Sequence, residues 1–350
     1  VNETVLMSEV SQRAPAGYDP EVRFGIFLLA ARFPGEDDAA SLARTVRAAA
    51  AAEDAGFDDV WVAEHHFMSY GTVPSALALA GHLLGRTARI GVGTAVTVLS
   101  ARHPVAVAEE AAMLALVSGG RLRLGVGRGG PWRELEVFGT GLSRYESGFP
   151  ESLDLLLAWL RSERVGWRGE HFAFREVPVV PRTAEPPPVW VACTSPETEG
   201  LAAARRLPML LGMHVGDAEK AAALGRYRAA GGPDVPHVSA HLAQVGSSRD
   251  DAAGALLAGM PGWLGPGLDG YVPVDDRPRP HRDASAYVRK LCGLHPVGSP
   301  ADCAAAIRRT LDTGLRHLIF LVEGAGSEAA TLENIARLGG EVLPLVRRAG

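Results

Sequence analysis

The chain has 350 residues, 47% of them hydrophobic and 21% charged, enough apolar material for one large core and too much for a disordered polypeptide. Lys and Arg number 35 against 40 Asp and Glu, a net charge of -5 with no basic block, so a nucleic-acid partner is disfavoured and a small molecule expected. The three cysteines, Cys193, Cys292 and Cys303, form neither a zinc knuckle nor a redox CxxC, and with no signal-peptide pattern and no long apolar span they predict a reduced, cytoplasmic protein without a membrane segment.

Residues 1–21 are polar and proline-containing and read as a flexible leader; residues 22–350 read as one domain. Arg23 to Leu29 is the first predicted strand. Asp37 or Ser41 caps a helix that runs through an Ala-rich stretch to Ala55, with Gly56 at its stop. Asp59 to Ala63 is the second strand, Ser75 to Arg86 a helix, Ile90 to Val98 the third strand, and Pro104 to Ser118 a helix with proline in its first turn. Arg121 to Gly127 is the fourth strand, followed by a helix at Glu151–Arg161 and an excursion at Trp167–Val180. Pro188–Cys193, Met209–Met213 and Val238–Val245 are strands five to seven, alternating with helices at Pro196–Arg206, Asp217–Ala230 and Ser248–Leu257. Residues 258–296, rich in Gly, Pro, Asp and Arg, read as an irregular lid or mobile insertion. Ser299–Thr313 resumes as helix, His317–Val322 is the eighth strand and Ser327–Val346 closes the chain. Eight strands each followed by a helix predict a closed (β/α)8 barrel, with an open doubly wound sheet as the alternative.

The candidate reaction centre is Glu64-His65-His66, which ends the apolar run Asp59-Val60-Trp61-Val62-Ala63. Ionisable groups at the C-terminal end of a parallel strand face the pocket of such folds. For any one of the three, hydrogen bonding to loop backbone is the plainer explanation. Adjacent strand residues point to opposite faces, so His65 and His66 do not suit a single metal ion, and no metal is expected. Gly125-Val126-Gly127-Arg128-Gly129-Gly130 satisfies G-x-G-x-x-G, but on the fourth strand rather than the first, so it reads as a turn that lets backbone N–H groups and Arg128 approach an anion. Thr194-Ser195-Pro196-Glu197-Thr198 is either an ordinary helix cap or a phosphate cradle. Arg144 gains interest only where it converges with Arg128 on one phosphate. H-E-x-x-H, G-x-S-x-G and P-loop motifs are absent.

The ordered series Ala63-Glu64-His65-His66-Phe67, Leu83-Leu84-Gly85-Arg86-Thr87, Val92-Gly93-Thr94-Ala95-Val96, His103-Pro104-Val105, Ser118-Gly119-Gly120-Arg121-Leu122, Val137-Phe138-Gly139 and Pro296-Val297-Gly298-Ser299-Pro300 resembles the bacterial luciferase-like flavin monooxygenases from about Arg23 to Leu345. That resemblance implies a (β/α)8 barrel that takes reduced FMN (FMNH2) from a separate flavin reductase. O2 would add at the flavin C4a position and one oxygen atom would pass to a small organic substrate. It makes His65 the active-site base, with Glu64 and His66 tuning it. It assigns Arg128, Gly130, Arg144, Thr194, Ser195 and Thr198 to the cofactor, and Ala95-Val96 to a non-prolyl cis peptide beside the flavin ring. Phe27, Phe67, Trp132 and Met213 would shape the substrate pocket, and a homodimer is expected. Gly127 and Met213 depart from the luciferase pattern, which carries a cysteine and a tryptophan there. Coenzyme F420 hydride transfer on the same fold and a silent flavin-binding protein are the rival readings. The Ala-, Gly- and Arg-rich composition suits a GC-rich genome, where relatives tailor metabolites such as polyketides in antibiotic biosynthesis.

Overall fold

A computed structural model describes residues 22–275, 277 and 283–347. Eight parallel strands form the barrel: β1 (Arg23–Leu28), β2 (Asp59–Val62), β3 (Gly91–Thr94), β4 (Leu122–Gly127), β5 (Val189–Cys193), β6 (Met209–Leu211), β7 (Val238–Leu242) and β8 (His317–Leu321). Each pairs with its sequence neighbour, and β1 pairs with β8 through Arg23–His317 to Phe27–Leu321, so the sheet closes. The open-sheet alternative is thereby excluded. The predicted leader at 1–21 lies outside the described residues.

Both faces of each strand are buried, which is why the strands read as apolar runs rather than as alternations. On β2, Val60 and Val62 face the helices and pack with Leu77 and Leu83, while Trp61 and the following Ala63 fill the interior with Phe27, Trp190 and Leu210. Trp61 fits because its neighbours give way: a Cβ on Gly93 would overlap its indole.

The helix stops and starts follow local chemistry. Asp37 caps Asp38–Asp54 by accepting from Ala40 N, Ser75 caps Ala76–Arg86, and Ser299 caps Pro300–Asp312 in a reciprocal pair with Asp302. Gly56 takes a positive φ of 80° just past the first helix. The predicted excursion after β4 is an antiparallel hairpin, Arg164–Arg168 with Ala173–Pro178. Its turn hangs on one carboxylate, because Glu151 accepts from the Trp167 indole at 2.8 Å and from the backbone N–H of Glu170, His171 and Phe172.

Two expectations are corrected. The third strand is not continuous: β3 stops at Thr94 and resumes at Thr97–Val98. Among the described residues of the stretch 258–296, two segments are helical rather than irregular. The helix begun at Arg249 runs to Asp269 through Pro261 and Pro266, and Ala284–Leu294 is a second helix. Leu256, Met260, Trp263, Leu264 and Gly267 keep helical spacing on its buried face, and that burial outweighs the hydrogen bonds the prolines remove. Gly267 is there for close approach rather than as a breaker, since a Cβ would stand 2.6 Å from Tyr70 Cβ.

Candidate active site

The three ionisable residues after β2 have three different fates. Glu64 is buried, and its two oxygens accept from Ala76 N and Val98 N, both at 3.0 Å. It therefore ties the start of the helix Ala76–Arg86 to the resumed third strand, and the backbone-bonding reading holds for it rather than a proton-transfer role. His66 packs edge-on against Phe138 at 5.0 Å, with its Nε2 3.8 Å from Glu64 Oε1, outside hydrogen-bond range. Phe67, expected in the substrate pocket, is 53% exposed, lies against Phe138 and takes a left-handed φ of 60°. Its backbone is bent to let the chain turn out of the barrel, which throws the ring outward.

His65 lies among aromatic rings. Its ring lies edge-on to Tyr70 at 4.8 Å and to Tyr271 at 6.3 Å, and its Nδ1 has no hydrogen-bond partner among the described residues. Burial, and then the neighbouring His66 charge, bring its pKa down to about 4, so the imidazole is neutral at pH 7. Gly71 makes the enclosure possible, because a Cβ there would stand 2.5 Å from that Nδ1 and 2.7 Å from Leu29 O.

A strap crosses the mouth. Beyond Asp269 the chain pairs with the loop after β4, with Arg133 N donating to Val272 O at 3.1 Å and Val274 N to Pro131 O at 2.8 Å. This sets Tyr271 5.0 Å from Trp132 and 5.9 Å from Tyr70, so the residues around His65 form a wall of aromatic rings. Tyr70 and Tyr271 were missed in the sequence, where each is an isolated tyrosine in a loop without periodicity or motif.

On the adjoining side the Ala95–Val96 peptide bond is cis, as the resemblance implied, and it fills the gap between the two pieces of the third strand. Ala95, Val96, Phe27 and Met213 share one apolar cluster with Trp61, Tyr70 and Tyr271. Gly127 leaves the β4 side bare of a side chain, and a Cβ on it would come within 2.6 Å of Val96 Cγ2. A Cβ on Gly130 would overlap the Trp132 indole, so Gly130 shapes the wall through Trp132.

The anion-binding candidates come together only in part. Arg128 lies over the Tyr145 ring at 4.6 Å and borders a small cavity of about 30 Å³ with Thr198, Leu201 and Phe149. Glu146 and Glu197 border it too. Ser195 caps the helix Pro196–Ala204 in a reciprocal pair with Thr198, whose hydroxyl also accepts from Thr194 N at 3.2 Å, so the ordinary cap is realised. Arg144 does not join Arg128 on this cavity. Its Nη2 donates to the carbonyls of Leu99 and Arg102 and to Ser152 Oγ, over the Phe172 ring, and burial lowers its pKa. The contacts fix Arg144 as a brace beneath the loop after Val98.

These groups fit a flavin in part. A neutral imidazole lies among aromatic rings, the strand wall is bare at Gly127, and the Arg128 guanidinium stands beside a helix N-terminus, but the cavity it borders is small and carries Glu146 and Glu197 as well. Among the described residues no group of three or more His, Cys, Asp or Glu side chains is gathered to hold a metal ion, and no helix is long and apolar enough to cross a membrane.

Comparison with known proteins bears on the same architecture. The chain is 28% identical to the alkanal monooxygenase alpha chain of the Kryptophanaron alfredi symbiont, over 93% of this chain and 99% of that one. Its fold matches the monooxygenase RslO1 of Streptomyces bottropensis with a TM-score of 0.77 at 23% identity, covering 92% of this chain and 99% of that one. It also matches the FMN-bound oxygenating constituent of 3,6-diketocamphane monooxygenase from Pseudomonas putida with a TM-score of 0.73 at 18% identity, covering 93% and 98%. Structures of F420-dependent enzymes superimpose comparably. The family model for luciferase-like monooxygenases matches residues 22–317, and the chain therefore belongs to the luciferase-like monooxygenase family.

Proposed function

We propose that this protein is a two-component monooxygenase that uses FMNH2 and O2 to oxygenate a small apolar organic substrate. The observation that carries the reading is His65, a neutral imidazole enclosed by aromatic rings in a barrel whose chain resembles an alkanal monooxygenase over nearly its full length. The reduced flavin supplies the electrons that activate O2, and the protein supplies position, dryness and proton handling. Arg128 and the N-terminus of the helix Pro196–Ala204 would hold the phosphate. The Ala95–Val96 wall and the bare backbone at Gly127 would support the ring system. His65 would accept a proton, a role that its neutral state at pH 7 permits. The strap at Tyr271–Val274 would keep water away from the reacting atoms. The aromatic wall supports a planar or unsaturated substrate of the secondary-metabolite kind, polyketides included.

A separate flavin reductase belongs to this reading. So does pairing of two copies, supported by the exposed Met113, Leu116 and Val117 on the helix Pro104–Val117. The test is an anaerobic titration with FMNH2 and, in parallel, reduced F420, followed by admission of O2. Saturable FMNH2 binding and a slowly decaying oxygenated absorbance support the reading. Preference for F420 with hydride transfer replaces it with the deazaflavin alternative, and binding of neither overturns both.

A further inference from the structure

A buried basic cluster lies outside the groups proposed to act on the flavin, at the seam between β6 and β7. The helix Asp217–Ala229, which follows β6, carries Lys220, only 1% exposed. Its Nζ donates to Ala240 O at 2.8 Å and lies 3.3 Å from His241 Nε2, which Ser239 Oγ also approaches at 2.9 Å. His241 stands edge-on to His295 at 5.4 Å, and His295 Nε2 donates to Met213 O at 2.7 Å. A series of contacts therefore runs from the Lys220 amine to the backbone of Met213, a residue of the apolar cluster that holds Phe27, Ala95, Val96 and Tyr271.

The seam explains why an amine is buried there. Pairing of β6 with β7 stops at Leu211–Ser239, while β7 goes on pairing with β8 as far as Leu242. Ala240 thus lies beyond the last β6 partner, and a buried carbonyl without a donor is costly. Lys220 reaches across from its helix and supplies that donor. The charge of an ammonium is poorly supported in this place. Among the described residues the acid that favours it is Asp217, on the same helix, whose Oδ1 already accepts from the Thr310 hydroxyl. The other ionisable groups that face the cluster are basic, His241 and His295 within it and His214 and Lys290 beyond His295. Burial brings the Lys220 pKa down to about 7, that of His295 to about 4, and that of His241 well below its usual value. Of the three, Lys220 is the one that changes charge near pH 7.

Its two charge states ask different things of the neighbours. A neutral amine donates to Ala240 O and keeps a lone pair that His241 Nε2–H can use. An ammonium has only donors, so His241 must turn a bare Nε2 to it, and the charge is either buried at a cost or met by opening the seam. We infer that Lys220 is a positioning residue: the proton it gains or loses is transmitted through His241 and His295 to the backbone of Met213, and sets how that side chain sits in the wall of the proposed pocket. In the neutral state the cluster holds Met213 in place; in the charged state the seam loosens and Met213 shifts. The consequence for substrate rests on the flavin reading, whereas the linkage from Lys220 to Met213 does not.

The experiment is proton–carbon NMR of the full chain without cofactor, grown with methionine carrying a carbon-13 methyl group and titrated from about pH 5.5 to 8.5, the span around the Lys220 transition. The chain has six methionines, so Met213→Leu identifies the Met213 signal. A single inflection of that signal near pH 7 is expected, absent in Lys220→Met and retained in His214→Gln. A flat Met213 signal in the unaltered chain would overturn the inference before any variant is made. So would an inflection that survives Lys220→Met, or one that disappears in His214→Gln, since the exposed imidazole next to Met213 would then be its source. Because no cofactor is present, a negative result here and a failure to bind FMNH2 are separate outcomes.

Discussion

The two ends of β2 carry ionisable groups that are treated in opposite ways. At the floor of the barrel, Asp59 is fully buried but compensated: the Trp61 indole donates to it at 2.7 Å, His317 Nε2 lies at 3.0 Å and Arg23 at 3.8 Å. Burial alone would raise its pKa, yet His317, Arg23 and Arg123 outweigh that and hold it below the usual carboxylate range. At the mouth, His65 receives no charge partner, and its Nδ1, buried beside Gly71, has no hydrogen-bond partner among the described residues. One end balances a buried charge with partners from the protein, which serves stability. The other holds a neutral imidazole with no counter-charge, which suits proton transfer.

The sharpest way to break this contrast is at the mouth. His65→Ala should bind FMNH2 and keep its fold but lose about a hundredfold or more in oxygenation, the scale of a missing acid–base group. Single-turnover product yield measures it, and an unchanged yield would remove His65 from the mechanism. At the floor the loss should appear in stability instead. Asp59→Ala strands His317, Arg23 and the Trp61 N–H, a change of about 3–5 kcal/mol for a broken buried ion pair. Urea unfolding reads that loss directly.

A third prediction concerns pH. His295 is 3% exposed, and burial and the nearby Lys220 bring its pKa to about 4, with His241, His214 and Lys290 facing it as well. A histidine whose folded pKa lies below its unfolded value favours the neutral form, so its contribution is intact above about pH 6.5 and lost as the pH falls to 4. The linkage amounts to about 3 kcal/mol. His295→Gln, which can still donate to Met213 O, should flatten the fall in urea midpoint over that window. A slope identical to wild type would show that other groups carry the acid sensitivity.

The smallest effect returns to the mouth. Gly127→Cys forces a Cβ toward Val96 Cγ2 and should cost about 1–3 kcal/mol by overpacking, with Val96→Ala in the same chain recovering most of it. Thermal melts of the four members of the cycle test this coupling. Simple additivity would mean that the two residues do not share the space.

Much of the barrel was legible because its signals are local. Asp37, Ser75, Ser248 and Ser299 each bond a backbone N–H three residues on, and the apolar runs at Asp59–Ala63 and His317–Val322 are strands wherever they meet a neighbour. The same local reasoning failed at Pro261 and Pro266. Helix-breaking chemistry lost there to Met260, Trp263 and Leu264, whose buried neighbours are far away in sequence.

Sequence alone determined the alternation of strand and helix, the ionisable cluster that ends β2 and its kinship. Tertiary structure decided what each member of that cluster meets. Glu64 was claimed by Ala76 and Val98, whereas His66 packed on Phe138 and His65 on Tyr70 and Tyr271, each ring keeping one nitrogen without a hydrogen-bond partner among the described residues. The physical reason is that hydrogen-bonding capacity belongs to a residue, but whether it is already spent depends on neighbours brought in by the fold.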